Sequence, residues 1–124
     1  MPTIPEKYWQ WINQLPYFLE VDDYLLVHAG LDFTKPDPLN DTNGLIWIRD
    51  WYSGIKYQWL NKRKVVHGHT PVSQADIEIA AKHLDNLQVI NIDNGCFKSK
   101  VGQAALCAFE LTQRTLHFLS LIHI

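Results

Sequence analysis

Four short segments hold the side chains able to do chemistry. His28-Ala29-Gly30 follows the apolar run Tyr24-Leu25-Leu26-Val27, which puts an imidazole at a strand end with small residues beside it. From such a rigid position the ring projects into whatever cavity the edge forms, and neutral imidazole is the commonest metal ligand. The plainer alternative is a core histidine hydrogen-bonded to backbone. His67-Gly68-His69-Thr70-Pro71 repeats the arrangement after Val65-Val66, with a glycine that permits close approach and a proline that stiffens the exit. That loop suits one or both rings held against a metal or a phosphate; a tight turn that merely contains histidines is the alternative. Arg49, one of three arginines, stands between Trp47 and Trp51. A guanidinium held by aromatic neighbours is a fixed fork for phosphate oxygens, although a salt bridge to Asp50 or Asp41 would occupy it equally well. Asp93-Asn94-Gly95 reads first as a turn and second as a ligand cluster.

Other catalytic patterns are absent. The chain has no HExxH, no GxSxG elbow and no glycine-rich phosphate loop of the GxxxxGK[ST] or GxGxxG type. Cys96 and Cys107 are too far apart for a CxxC pair and too few for a disulfide scaffold, so they read as small apolar residues in a reduced, cytoplasmic chain. Eleven Lys and Arg against thirteen Asp and Glu give a net charge of −2, which argues against a basic nucleic-acid surface and an electrostatic membrane anchor. Nothing approaches the roughly 18 apolar residues of a membrane span. The first residues have neither the basic start nor the apolar core of a signal peptide. The five tryptophans therefore read as core and not as a stacking platform.

With 124 residues and 47% hydrophobic content, the chain is long and apolar enough for one folded domain. Pro5-Glu6-Lys7 opens a helical pattern with Trp9, Ile12 and Leu15 on one face, stopped by Pro16. Tyr17–Val21 reads as a strand, Asp22-Asp23 as a turn, and Tyr24–Val27 as a strand buried on both faces. Residues 34–44 read as loop, and Leu45–Tyr52 as a short helix carrying Arg49 and Asp50. Val65-Val66 and Leu87–Ile92 are two further buried strands, and 104–111 with 115–121 a closing β-hairpin around Gln113-Arg114, neither a strong turn former. Three apolar strands thus each end in a polar loop, at the edge where α/β sheets bind ligands.

Taken in order, Leu26-Val27-His28-Ala29-Gly30-Leu31, Leu45-Ile46-Trp47-Ile48-Arg49, Val65-Val66-His67-Gly68-His69-Thr70-Pro71 and Ile90-Asn91-Ile92-Asp93-Asn94-Gly95-Cys96 resemble one family over residues 5–116. That family is the calcineurin-like metallophosphoesterases, in the bacterial branch similar to serine/threonine protein phosphatases and symmetrical dinucleoside tetraphosphatases. The last block differs from the family's usual D-T-G-C by an asparagine in place of threonine. The resemblance implies a dinuclear site of divalent ions (Mn, Fe or Zn) in a four-layer α/β/β/α sandwich, with a metal-activated hydroxide attacking phosphorus in line. It further implies that His28 and His69 bind one ion, that Arg49 clamps the substrate phosphate, and that His67 and Asp93 stand behind the ligands.

The family's earlier motifs, GDxHG, GDxxDRG and GNHE, are absent; no Gly-Asp dipeptide occurs anywhere. Two metals about 3.5–4 Å apart need a bridging carboxylate and further ligands, which two histidines do not supply. The expectation is therefore an α/β chain corresponding to the C-terminal half of such a domain over residues 1–118. It would be inactive alone, with its partners a phosphorylated substrate and the absent N-terminal half. Residues 119–124 read as an adapter-derived tail or as an apolar terminal strand, and His123 is left out of the ligand set. Two alternatives stay open: a half-domain with no catalysis, and a mononuclear metal module using His28, His67 and His69 with an aspartate.

Overall fold

The computed structural model describes residues 3–97 and 103–120. Its centre is a four-stranded sheet in the order β1-β2-β3-β4: Phe18–Val21, Tyr24–Val27, Lys64–His67 and Val89–Asn91. β1 and β2 form an antiparallel hairpin whose two-residue turn has Asp22 at φ 52°. β2, β3 and β4 run parallel, pairing Leu26 with Val66 and Val66 with Ile90. This register sends the three polar loops off the same edge, as the sequence predicts. The protein is thus α/β, with a mixed sheet.

Alternation along these strands divides the core in two. Leu25, Val27, Val65 and Val89 face one side, where they meet Leu31, Phe33, Leu45, Trp51 and Leu60. These come from the long β2–β3 connection, which contains α2 (Thr42–Trp47) and α3 (Tyr57–Leu60). Tyr24, Val66 and Ile90 face the other side, against Ile77 and Leu84 of α4 (Gln74–Lys82) and α5 (Leu84–Leu87). The antiparallel hairpin β5 (Ala105–Phe109) and β6 (Leu116–Ser120) packs there too, through Cys107, Phe109, Leu116 and Phe118. Its turn holds without strong turn formers because the backbone N–H groups of Gln113 and Thr112 donate to the Glu110 carboxylate, which keeps that carboxyl below the usual range. Arg114 takes a left-handed φ of 58°. Leu119 and Ser120 pair with Leu106 and Ala105, so the first two residues of the suggested tail belong to β6; residues 121–124, His123 among them, lie outside the described residues.

Several elements differ from expectation. The helix expected over Leu45–Tyr52 is displaced toward the N-terminus: Asp41 O accepts from Leu45 N, so the helix starts within the predicted loop. It ends where Ile48 becomes extended, and Arg49 lies beyond it. Trp51 is drawn into the core, and Asp50 turns the chain at φ 53°. The strand expected from Leu87 starts at Val89, because Leu87 closes α5 and left-handed Gln88 donates its amide to Asn61 O and Arg63 O. α4 was not anticipated. Its signal is Ser73-x-x-Asp76, in which the Ser73 hydroxyl accepts from Asp76 N at 3.1 Å. Replacing that cap, Ser73→Ala, is expected to cost about 1 kcal/mol in urea unfolding.

α1 (Glu6–Asn13) forms as predicted but buries no residue. Trp9 and Trp11 are 46% and 61% exposed, and Trp47 at the end of α2 is 62% exposed. Only Trp51 is buried, with Trp59 packed against the core. The reading of all five tryptophans as core is therefore corrected: among the described residues no second layer covers the apolar face of α1, and Trp47 stays exposed at the end of α2.

Candidate metal-binding site at the sheet edge

The parallel register joins the loops by backbone bonds beyond the strands. Gly68 N donates to His28 O at 2.8 Å, Ile92 N to His67 O at 2.9 Å, and Val72 N to Asp93 O at 2.9 Å. Residues 28, 67–69 and 91–93 therefore sit side by side.

His28 and His69 come together. Their ring centroids are 5.1 Å apart, with the planes at 57°. A tetrahedral ion holding two imidazole nitrogens at about 2.0–2.1 Å sets the ring centres roughly 5 Å apart, so this spacing suits a shared cation. Neither ring makes a hydrogen bond among the described residues. His69 has φ 75°, a left-handed conformation that a bulky side chain adopts only when its surroundings impose it, and such residues cluster at functional sites. Trp47 meets the His69 ring edge-on at 5.9 Å. Both imidazoles open on a cavity of about 450 Å³ whose walls include Asp93 and Cys96.

His67 faces another way. Its Nε2 lies 2.6 Å from the Tyr52 hydroxyl and its Nδ1 3.1 Å from Gly68 O. Trp51 and Tyr52 enclose the ring at 5.0 and 5.6 Å. Burial pushes its pKa down to about 4, against smaller opposing contributions from the Gly68 and Ala29 carbonyls and Asp93. Burial also pushes the Tyr52 hydroxyl up to about 12. The imidazole is therefore neutral, the phenol protonated, and Tyr52 donates to Nε2. Tyr52 is the residue that sequence reasoning missed; it sits in a 3₁₀ turn, Tyr52–Gly54, and no spacing rule connects it to His67.

Asp93 stands beside the histidine loop: a Cβ on Gly68 would lie 3.2 Å from the Asp93 Cβ. Its Oδ1 accepts from Gly95 N and its own N–H donates to Asn91 Oδ1, both at 2.9 Å. The turn expected over 93–95 is present, with Gly95 at φ 69°. Buried Asn94 fastens it by donating to Val72 O and accepting from Ala105 N. Arg49 forms neither of the salt bridges weighed for it, and no other ion pair or hydrogen bond among the described residues. It lines a neighbouring cavity of about 390 Å³, with Tyr52, Ser53, Thr70 and Asn91, that shares only His67 with the histidine cavity.

The donor set fits two ligands of one ion. No group of three or more His, Cys, Asp or Glu side chains gathers as a metal site among the described residues, and His67 is committed to Tyr52, so the three-histidine module is not assembled there. Among the described residues, no helix is long and apolar enough to cross a membrane. Comparison with protein-family models, curated proteins and solved structures returns no match to this chain.

Proposed function

We propose that this chain carries part of a metal-dependent phosphoesterase centre, acting on a phosphoprotein or a dinucleoside polyphosphate. The observation that carries the reading is the 5.1 Å approach of the His28 and His69 rings from two separate loops. These imidazoles would hold one divalent ion, Mn, Fe or Zn, all compatible with nitrogen and oxygen donors. When bound, such an ion supplies Lewis-acid stabilisation of phosphoryl oxygens and a water acidified toward neutral pH. Arg49, exposed and free of ion pairs among the described residues, would clamp the phosphoryl group with its guanidinium fork. Asp93 and His67 brace the loops behind the ligands.

The remaining ligands, including those for a second ion, would come from a carboxylate-bearing segment outside the described residues. In the finer fold we propose, the C-terminal half of a four-layer α/β/β/α sandwich, that segment is the N-terminal half of the same domain. The hairpin stacked on one face of the mixed sheet supports this layering. The two free, half-buried cysteines suit a reducing, cytoplasmic setting.

A second reading, a half-domain with no turnover of its own, is favoured by the absence of a third ligand among the described residues. Calorimetric titration of the chain with Zn²⁺ tests the ligand assignment. One ion per chain is expected, with affinity at least tenfold weaker in His28→Ala and in His69→Ala. Binding that ignores both substitutions overturns it. Mn²⁺-stimulated hydrolysis of an aryl phosphate separates the two readings: turnover well above the His69→Ala background would reject the inactive half-domain.

A further inference from the structure

The side chain of His67 holds the loop that presents His69, and that loop is bonded to the one that presents His28. Its ring hydrogen-bonds to the carbonyl of Gly68, immediately before His69, and Gly68 N in turn donates to His28 O at 2.8 Å. On the other loop, the Ala29 carbonyl accepts from Trp51 Nε1 at 3.2 Å, and Ala29 N donates to Leu45 O at 2.9 Å. The ring therefore braces the corner at which residue 69 takes its left-handed φ. It can do so only as the tautomer with its proton on Nδ1. A neutral imidazole has one donor and one acceptor nitrogen, and the partner of the second fixes which is which. Here that partner is the Tyr52 hydroxyl, 2.6 Å from Nε2.

We propose that Tyr52 is a positioning residue for the candidate metal site: by donating to His67 Nε2 it fixes the Nδ1–H tautomer, and that N–H holds the Gly68 peptide, which precedes His69 and whose own N–H is bonded to His28 O. The proposal rests on the reading of those two histidines as ligands. Tyr52 contacts neither of them through a hydrogen bond among the described residues, so it acts entirely through His67. Groups that orient a ligand from behind generally change metal affinity by about 10- to 100-fold when removed.

The experiment compares the wild-type chain with Tyr52→Phe, which keeps the ring and loses only the hydroxyl, and with His67→Asn, whose amide retains an N–H for the Gly68 carbonyl but offers Tyr52 no ring nitrogen. Nitrogen-15 NMR of the histidine rings reads the tautomer, and Zn²⁺ titration reads the ligand pair. Wild type is expected to show the Nδ1–H form of His67; Tyr52→Phe is expected to show a tautomer mixture and about tenfold weaker Zn²⁺ binding. In the His67→Asn background, adding Tyr52→Phe is expected to change Zn²⁺ affinity less than twofold. Unchanged tautomer signals in Tyr52→Phe overturn the proposal, whatever the metal does. So does an unchanged Zn²⁺ affinity in Tyr52→Phe when His28→Ala and His69→Ala both weaken binding. If neither histidine substitution affects Zn²⁺, the ligand reading fails, and the proposal, as a statement about a metal site, falls with it even where the tautomer shifts. Equal unfolding midpoints for wild type and Tyr52→Phe ensure that the affinity change reports the site and not the fold.

Discussion

Gly30→Ala is expected to lower the unfolding free energy by about 3–4 kcal/mol, a large share of the ~5–15 kcal/mol typical of a domain. A Cβ at this position would lie 2.1 Å from Trp51 Nε1 and 2.3 Å from Trp51 Cε2. The indole cannot yield cheaply. It belongs to the core cluster on the α2 side of the sheet, stacks on Phe33 at 6.2 Å, and donates its only N–H to Ala29 O. Moving it leaves a buried donor and acceptor unpaired and also removes one wall around His67. Gly54→Ala is the control, since nothing lies within 4 Å of a Cβ there; it is expected to stay within about 0.5 kcal/mol of wild type. Urea unfolding of the three proteins decides it, and a loss below about 1 kcal/mol in Gly30→Ala would contradict the packing described.

The second large effect is a loss of stability on acidification, traceable to His67. Burial holds its folded pKa at about 4, against 6.5 for the free side chain. Between these values the unfolded chain binds a proton that the folded chain excludes, so the derivative of stability with pH is positive. The stability is fully present above about pH 6.5, falls as the pH drops toward about 4, and is lost below that. At about 1.4 kcal/mol per unit, the full window is worth about 3 kcal/mol. The charged and titratable groups facing the ring are Asp93, which favours protonation, His28, which opposes it, and Tyr52. Unfolding free energies at several pH values between 4 and 7 should fall steeply for wild type and much less for His67→Asn. Parallel profiles would remove His67 as the cause.

Local patterns carried much of this fold because their causes are local. The apolar runs at 24–27 and 65–66 are strands buried on both faces, and the Asp22-Asp23 and Asp93-Asn94-Gly95 turns stand where turn chemistry predicts them. Boundaries failed where a distant partner decided them. Trp51 left the expected helix for a place against Gly30, and Gln88 ended α5 to satisfy carbonyls at residues 61 and 63. The tryptophans failed for another reason: hydrophobicity creates a tendency to be buried, but burial needs an opposing layer, and none covers α1 among the described residues.

The sequence by itself determined that imidazoles would stand at the ends of two apolar strands, since strand length and the following glycines are local properties. The resemblance implied a shared ion for residues 28 and 69, but only the tertiary structure decided that their rings lie 5.1 Å apart and that residue 67 turns to Tyr52. That choice follows from the parallel pairing of Leu26 with Val66, which aligns the two loop exits, and from the left-handed backbone at residue 69, which separates its ring from that of residue 67. The strand pairing joins residues forty positions apart along the chain, beyond the reach of any local pattern.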